Sequence, residues 1–203
     1  MKRFCLMVLL TMTGCSAGPA QHLYVLRAPE PPTATVAPDG GETELELRRV
    51  SVPDFLDTTD ILLRDGTNGL RVSPTGRWGE RLSVGFAQAL RGALVSRLPA
   101  LRVVQNASGQ TRAWRARVEV EAFDVLPDGR CVLSARWSVL RPDAIPETAF
   151  EPVGERSTIV VQASGRDDAA VVAAMTRAID ALADRIATAT SEIPRHSRAA
   201  SAR

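Results

Sequence analysis

Between Trp114 and Val139 the chain alternates apolar and polar residues on both sides of a turn, and few folds accommodate that pattern. Trp114, Ala116, Val118, Val120 and Ala122 occupy every second position, with Arg115, Arg117, Glu119 and Glu121 between them. Pro127-Asp128-Gly129 marks a turn. Cys131, Leu133, Ala135, Trp137 and Val139 then alternate with Ser134, Arg136 and Ser138. Period two puts each set on its own face, so the segment predicts an antiparallel hairpin with one buried and one wet face. Cys131 is expected to point inward as a small, inert hydrophobe.

Two stretches have helical spacing instead. Trp78, Leu82, Phe86, Leu90, Leu94 and Leu98 recur at four-residue steps, with Ala89 and Ala93 on the same stripe, so a helix is expected from near Arg77 to Pro99. Val171/Val172, Met175, Ile179, Leu182, Ile186 and Ala189 form a second stripe, opened by Asp167 or Asp168 and closed before Pro194. Shorter strands are read at Leu45–Val52, Ile61–Arg64, Leu70–Ser73, Leu101–Val104 and Ser157–Ala163, with Tyr24-Val25-Leu26 as a further short apolar run. Asp65–Gly69 is the turn of a second hairpin. Asn106-Ala107-Ser108, although it matches a glycosylation acceptor, reads as part of a turn. The order β-β-β-α-β-β-β-β-α predicts an α+β fold with two amphipathic helices on one face of an antiparallel sheet. A single domain is expected over residues 44–193, preceded by a tether, short strand and Pro-rich linker (15–43) and followed by a basic tail (194–203).

The N-terminus reads as an address. Lys2 and Arg3 precede the apolar run Phe4–Met12, which is far shorter than the ~20 residues that span a bilayer. Leu10-Thr11-Met12-Thr13-Gly14-Cys15 resembles a bacterial lipobox, which implies a signal peptide over residues 1–14, cleavage before Cys15, and acylation of Cys15 with palmitate-type chains. Several acyl chains, at about 0.8 kcal/mol per buried methylene, hold a protein on a membrane almost irreversibly. By analogy with Gram-negative lipoproteins, Ser16 in place of Asp favours the outer membrane. Cleavage and acylation leave Cys131 as the only free thiol.

Losing Lys2 and Arg3 brings the chain to 23 basic against 23 acidic residues, a balance that argues against nucleic-acid binding. Lys2 is the only lysine, so P-loop, Schiff-base and Ser-Lys chemistries are excluded. His22 lies in the tether and His196 in the tail, which leaves no credible member for a Ser-His-Asp triad or a His-based metal site. Asp54, Asp57 and Asp60 are better read as turn residues and helix caps than as an acid/base or metal site. Trp78 and Phe86 are better read as core than as a ligand groove. No catalytic residue, metal ligand or cofactor is expected.

Taken in order, the motifs resemble the PqiC/YmbA-type auxiliary lipoproteins of ABC transport systems. The lipobox Cys15 is followed by Tyr24-Val25-Leu26, like that family's Tyr-x-Leu strand. Val50-Ser51-Val52-Pro53-Asp54-Phe55-Leu56-Asp57 is similar to its Val-x-x-Pro-x-aromatic-Leu-Asp. Ile61-Leu62-Leu63-Arg64 leads to Arg77-Trp78-Gly79-Glu80-Arg81-Leu82, like the Trp-x-x-x-Leu helix entry. Ala135-Arg136-Trp137 and Leu182-Ala183-Asp184-Arg185-Ile186-Ala187 complete the series. Thr58-Thr59 and Gly79 depart from the pattern. The resemblance implies a non-enzymatic outer-membrane partner of an MCE-domain protein and an inner-membrane permease, in a system that moves phospholipids or other hydrophobic compounds across the periplasm. The rival readings are an outer-membrane structural or assembly-factor lipoprotein, a periplasmic hydrolase using acids near Asp57, and a lipid carrier. A carrier needs a continuous cavity, whereas the apolar residues here suffice only to pack helices on a sheet. The oligomeric state, a homo-oligomer included, is left open. Arg115, Arg117, Glu119 and Glu121 form one candidate docking face, and Arg141–Gly154 another. Replacing Cys15 with Ala is expected to leave an unprocessed precursor. Normal processing and release of that variant, seen by mass and fractionation, would overturn the lipobox reading.

Overall fold

The computed structural model describes residues 20–26, 44–105, 113–140 and 153–191. The signal peptide, Cys15, the Pro-rich stretch, the Asn106–Gly109 turn, the segment 141–152, His196 and the tail lie outside the described residues. The elements run β1 (His22–Tyr24), β2 (Glu44–Leu47), β3 (Asp60–Asp65), β4 (Gly69–Trp78), α1 (Leu82–Arg97), β5 (Arg102–Val104), β6 (Trp114–Val125), β7 (Arg130–Leu140), β8 (Val153–Gln162) and α2 (Asp168–Ser191).

The α+β class is as expected, but the strands form two sheets of mixed direction. A three-stranded sheet has the order β1-β4-β3, and a five-stranded sheet the order β5-β2-β6-β7-β8. The β3–β4, β6–β7 and β7–β8 pairs are antiparallel. The β1–β4, β2–β5 and β2–β6 pairs are parallel. Alternation of side chains sets which face is buried but not the direction of the neighbouring strand, so the parallel pairs left no mark in the sequence. Four strands precede α1 because the chain around Tyr24 pairs with β4. The strand expected over Leu45–Val52 leaves the ladder after Leu47 and rejoins it at Ser51, which bridges Glu119.

β4 departs from the expectation in a second way. Pro74-Thr75-Gly76 does not end the strand; β4 continues to Trp78, and α1 begins only at Leu82. The Trp78 N–H donates to the Thr59 carbonyl at 2.8 Å and the Gly79 N–H to the Tyr24 carbonyl at 2.7 Å, so this end of β4 has partners on both sides. Trp78 is therefore a buried strand residue and not part of the helical stripe. The rest of that stripe is correct, with Leu82, Phe86, Ala89, Leu90, Ala93, Leu94 and Leu98 all buried.

β6 carries one correction. Val120 pairs with Ala135 and Ala122 with Ser134, so one residue bulges out between them. The bulge shifts the period by one. Phe123 and Val125 therefore enter the core and Ala122, expected there, is only half-buried. On β7 every expected inward residue is buried, and the Trp137 indole donates to the Ser157 hydroxyl at 3.0 Å. Gly129 closes the hairpin at φ 87, in the left-handed region that favours glycine.

The core lies between the sheets and the two helices. Phe86 of α1 meets Phe123 of β6 edge to face, with ring centroids 5.6 Å apart. The Asp167 carboxylate caps α2 by accepting the Ala170 N–H at 2.8 Å. Its neighbour Asp168 accepts from the Ser73 and Thr75 hydroxyls, each at 2.7 Å, and clasps the three-stranded sheet to the start of α2. Gly76 is required there, because a Cβ would lie 2.6 Å from Asp168 Oδ2. Arg97 joins the helices through Asp184, with its Nε 2.5 Å from Oδ1. Replacing Phe86 with Ala removes a fully buried ring and its partner's edge contact, and is expected to cost about 3–5 kcal/mol in denaturant unfolding. A loss under about 1 kcal/mol would show that this pair is not central to the core.

Candidate docking surface

Both helices pack on the inner face of the five-stranded sheet, whose outer face is left to charged side chains. Arg115, Arg117 and Glu119 project there from β6, opposite Leu140, Ser138 and Arg136 of β7. Arg117 and Glu119 are exposed. Arg115 Nε lies 4.0 Å from a Glu46 carboxylate oxygen that Arg48 also approaches at 3.4 Å. At the sheet edge Arg102 is 3.5 Å from Glu44.

Glu121, at the bulge, is engaged differently from its three companions. Its Oε1 accepts Arg136 Nε at 2.7 Å and Arg156 Nη2 at 2.7 Å, and its Oε2 accepts Arg156 Nε at 2.8 Å. The Arg156 hydrogen bonds, helped by those of Arg136, outweigh desolvation and hold the Glu121 carboxyl below its usual range. Sequence reasoning placed Arg136 on the wet face but missed Arg156, which sits just before the expected start of the last strand. Arg136 and Arg156 are directly opposite each other across β7 and β8. Like charges so placed repel unless a carboxylate lies between them, and Glu121 supplies it.

The three aspartates before α1 serve structure. Asp54 is an exposed turn residue. Asp60 pairs with Arg77 at 2.8 Å. Arg81, the residue at the start of α1, offers no side-chain cap. Asp57 provides one from across the loop, accepting the Ser83 N–H at 3.0 Å and the Arg81 Nε at 3.2 Å. Desolvation opposes ionisation of Asp57, but the hydrogen bonds from Ser83 and the Arg81 charge outweigh it and lower its pKa. Beside it an open groove of about 500 Å³ is lined by Arg49, Asp57, Arg81, Val84, Gln88 and Gln105, among others. Among the described residues no group of His, Cys, Asp and Glu is placed to hold a metal. His22 stands exposed at the start of β1. Cys131 is fully buried, and desolvation, with a smaller push from Asp124, drives its thiol pKa up to about 12, so it is no nucleophile at neutral pH. Among the described residues no helix is long and apolar enough to cross a membrane.

The fold and its surface define a mixed two-sheet α+β domain with a charged open face on the larger sheet. The family model for ABC-type transport auxiliary lipoprotein components matches residues 24–187, and the chain belongs to that family. Two crystal structures share the fold. One, of an uncharacterized protein, superposes with a TM-score of 0.68 at 16% identity, over 83% of this chain and 97% of that one. The other, a Xanthomonas campestris protein of the DUF330 family, gives 0.62 at 16% identity, over 83% and 94% of the two chains. No curated protein matches the sequence significantly.

The Asp57 cap generates a pH-dependent expectation. A carboxyl with a depressed native pKa adds stability above its unfolded value, and that stability is lost as pH falls through the native one. Asp57→Ala is expected to cost about 1 kcal/mol at neutral pH. The deficit should shrink below the ordinary aspartate value of 3.8 and vanish below the native value. Urea unfolding at both ends of that range measures it; a deficit independent of pH would show that the carboxylate charge contributes nothing.

Proposed function

We propose that this chain is the outer-membrane lipoprotein of an MCE/ABC-type transport system that carries phospholipids or other hydrophobic compounds across the periplasm. In this reading it is a dock and not a catalyst. The observation that carries the reading is the family match over residues 24–187, which begins nine residues after the lipobox cysteine and spans α1 and most of α2. Cys15 supplies the lipid attachment, and residues 16–22 the tether, the last of them opening β1. The folded domain then presents its surface to an MCE-domain protein that works with an inner-membrane permease.

The outer face of the five-stranded sheet suits such a partner. Its charges are of both signs and fixed on regular strands, which gives a partner a defined pattern to complement. Arg117 and Glu119 stand exposed at its centre, while Glu121, Arg136 and Arg156 form a hydrogen-bonded cluster beside them. Exposed ion pairs add little to stability, typically under about 1 kcal/mol, so the pattern is better suited to recognition than to holding the fold.

Charge reversal at Arg117 and Glu119 is expected to leave stability within about 0.5 kcal/mol. Capture of the MCE-domain protein should nevertheless weaken, and what remains should fall with added salt, because exposed charges are screened over ~10 Å. Reversal at Glu121 should weaken capture too, and lower the melting temperature as Arg136 and Arg156 are left facing each other. Pull-down with the melting temperature followed in parallel reads both effects. Undiminished capture by folded variants of this face and of residues 141–154 would remove the docking reading.

A further inference from the structure

Seven large apolar side chains are exposed among the described residues, and four of them share one face of the three-stranded sheet. Asp60, Leu62 and Arg64 alternate on β3 with the buried Ile61 and Leu63, and so point away from the core. Their partners across β4 are Arg77, Val72 and Leu70. Directly opposed residues project to the same face. Arg77 is in turn the partner of Leu23 on β1. Val25 follows two positions later, while Tyr24 and Leu26 turn inward. Leu23 is 73% exposed, Val25 48%, Val72 50% and Leu70 37%.

The charges on this face are internally matched. Arg77 is 2.8 Å from Asp60, and Arg64 is 2.8 Å from Asp124. A surface pressed against this face would meet apolar side chains and paired ions, not isolated charges.

The length of chain before β1 selects the occupant. Seven peptide steps separate Cys15 from His22. Fully extended they reach at most about 25 Å. A domain of this size has a radius of gyration of about 15 Å, so β1 cannot move a full domain diameter from an anchored Cys15. We infer that the outer face of the three-stranded sheet, through Leu23, Val25, Leu70 and Val72, rests on the lipid surface to which Cys15 is anchored. The inference depends on acylation of Cys15, and it adds an orientation: the three-stranded sheet faces the bilayer.

The test uses the full lipidated protein in vesicles of phosphatidylethanolamine and phosphatidylglycerol. One added cysteine, labelled in the native fold where the buried Cys131 does not react, carries an environment-sensitive fluorophore and is placed by Leu23→Cys, Val72→Cys or Val160→Cys. Val160 is about as exposed as Val72, at 55%, but lies on the five-stranded sheet. Labels at positions 23 and 72 should shift to the blue and lose emission when the vesicles carry lipids spin-labelled near the headgroup, and the label at 160 should do neither. Equal quenching at all three sites, or at none, overturns the inference. A blue shift at 23 and 72 without lipid quenching also overturns it, and assigns the face to a protein, a second copy included. Flotation and intact mass read the anchor separately. A protein that carries no acyl chain and does not float with the vesicles removes the lipoprotein reading and this orientation with it. A floating, acylated protein with unquenched labels removes the orientation alone.

Discussion

Asp168 is the residue on which the arrangement of this domain turns. Two sheets that share no ladder must be held in one relation, and α2 lies against the larger of them. At its first residue a single carboxylate accepts two hydroxyl hydrogen bonds from β4 of the smaller sheet. Charge-assisted bonds at 2.7 Å are short and directional, and they need both sheets in place at once. The irregular stretch of β4 around Ser73–Gly76 delivers the two hydroxyls to that point. Ser73 also accepts the Gly76 N–H at 3.1 Å, so the bulged backbone is tied by the side chain that makes the clasp. On the far side Arg64 of β3 reaches Asp124 of β6, a second polar tie between the sheets.

Between those ties the core is built from small aliphatic residues. Ala89 and Ala93 of α1 and Ala174, Ala178 and Ala183 of α2 are all buried. Small side chains let backbones approach closely and leave little room for a cavity. The aromatic contacts are correspondingly few, with Phe86 and Phe123 meeting at one point and Trp137 fastened to Ser157 at another.

The faces of β6, β7 and both helices were legible in the sequence because burial is written in periodicity. Three things were not. Strand direction was hidden, since β2 has the same alternation whether its neighbours run parallel or antiparallel. The end of β4 was hidden, because Trp78 falls four residues before Leu82 and so mimics one more helical turn. The bulge at Glu121 was hidden, because no residue type announces it; only the half-buried Ala122 and the buried Phe123 reveal the slip. On the surface, three of the four charges placed on the wet face project there without a tight partner, but the Arg136–Glu121–Arg156 cluster depends on register between β7 and β8, which a single sequence does not state. Asp57 as a cap was readable only as a residue type near a helix start, since its partner Ser83 lies twenty-six positions away in the chain.

β1 holds the fold by three paired residues, and it is where the N-terminal segment enters. Any tension in that segment therefore arrives at the domain through a short parallel ladder. A pull along the strand loads those hydrogen bonds in shear, all together, whereas a pull across it peels them one at a time. Leu26, buried just beyond, acts as a stop on the inner side. If the ladder yields, what comes away is an edge strand, and the ladders of the five-stranded sheet do not include it. Load entering through β1 would thus be spent at the rim of the domain, away from the charged face on the other sheet.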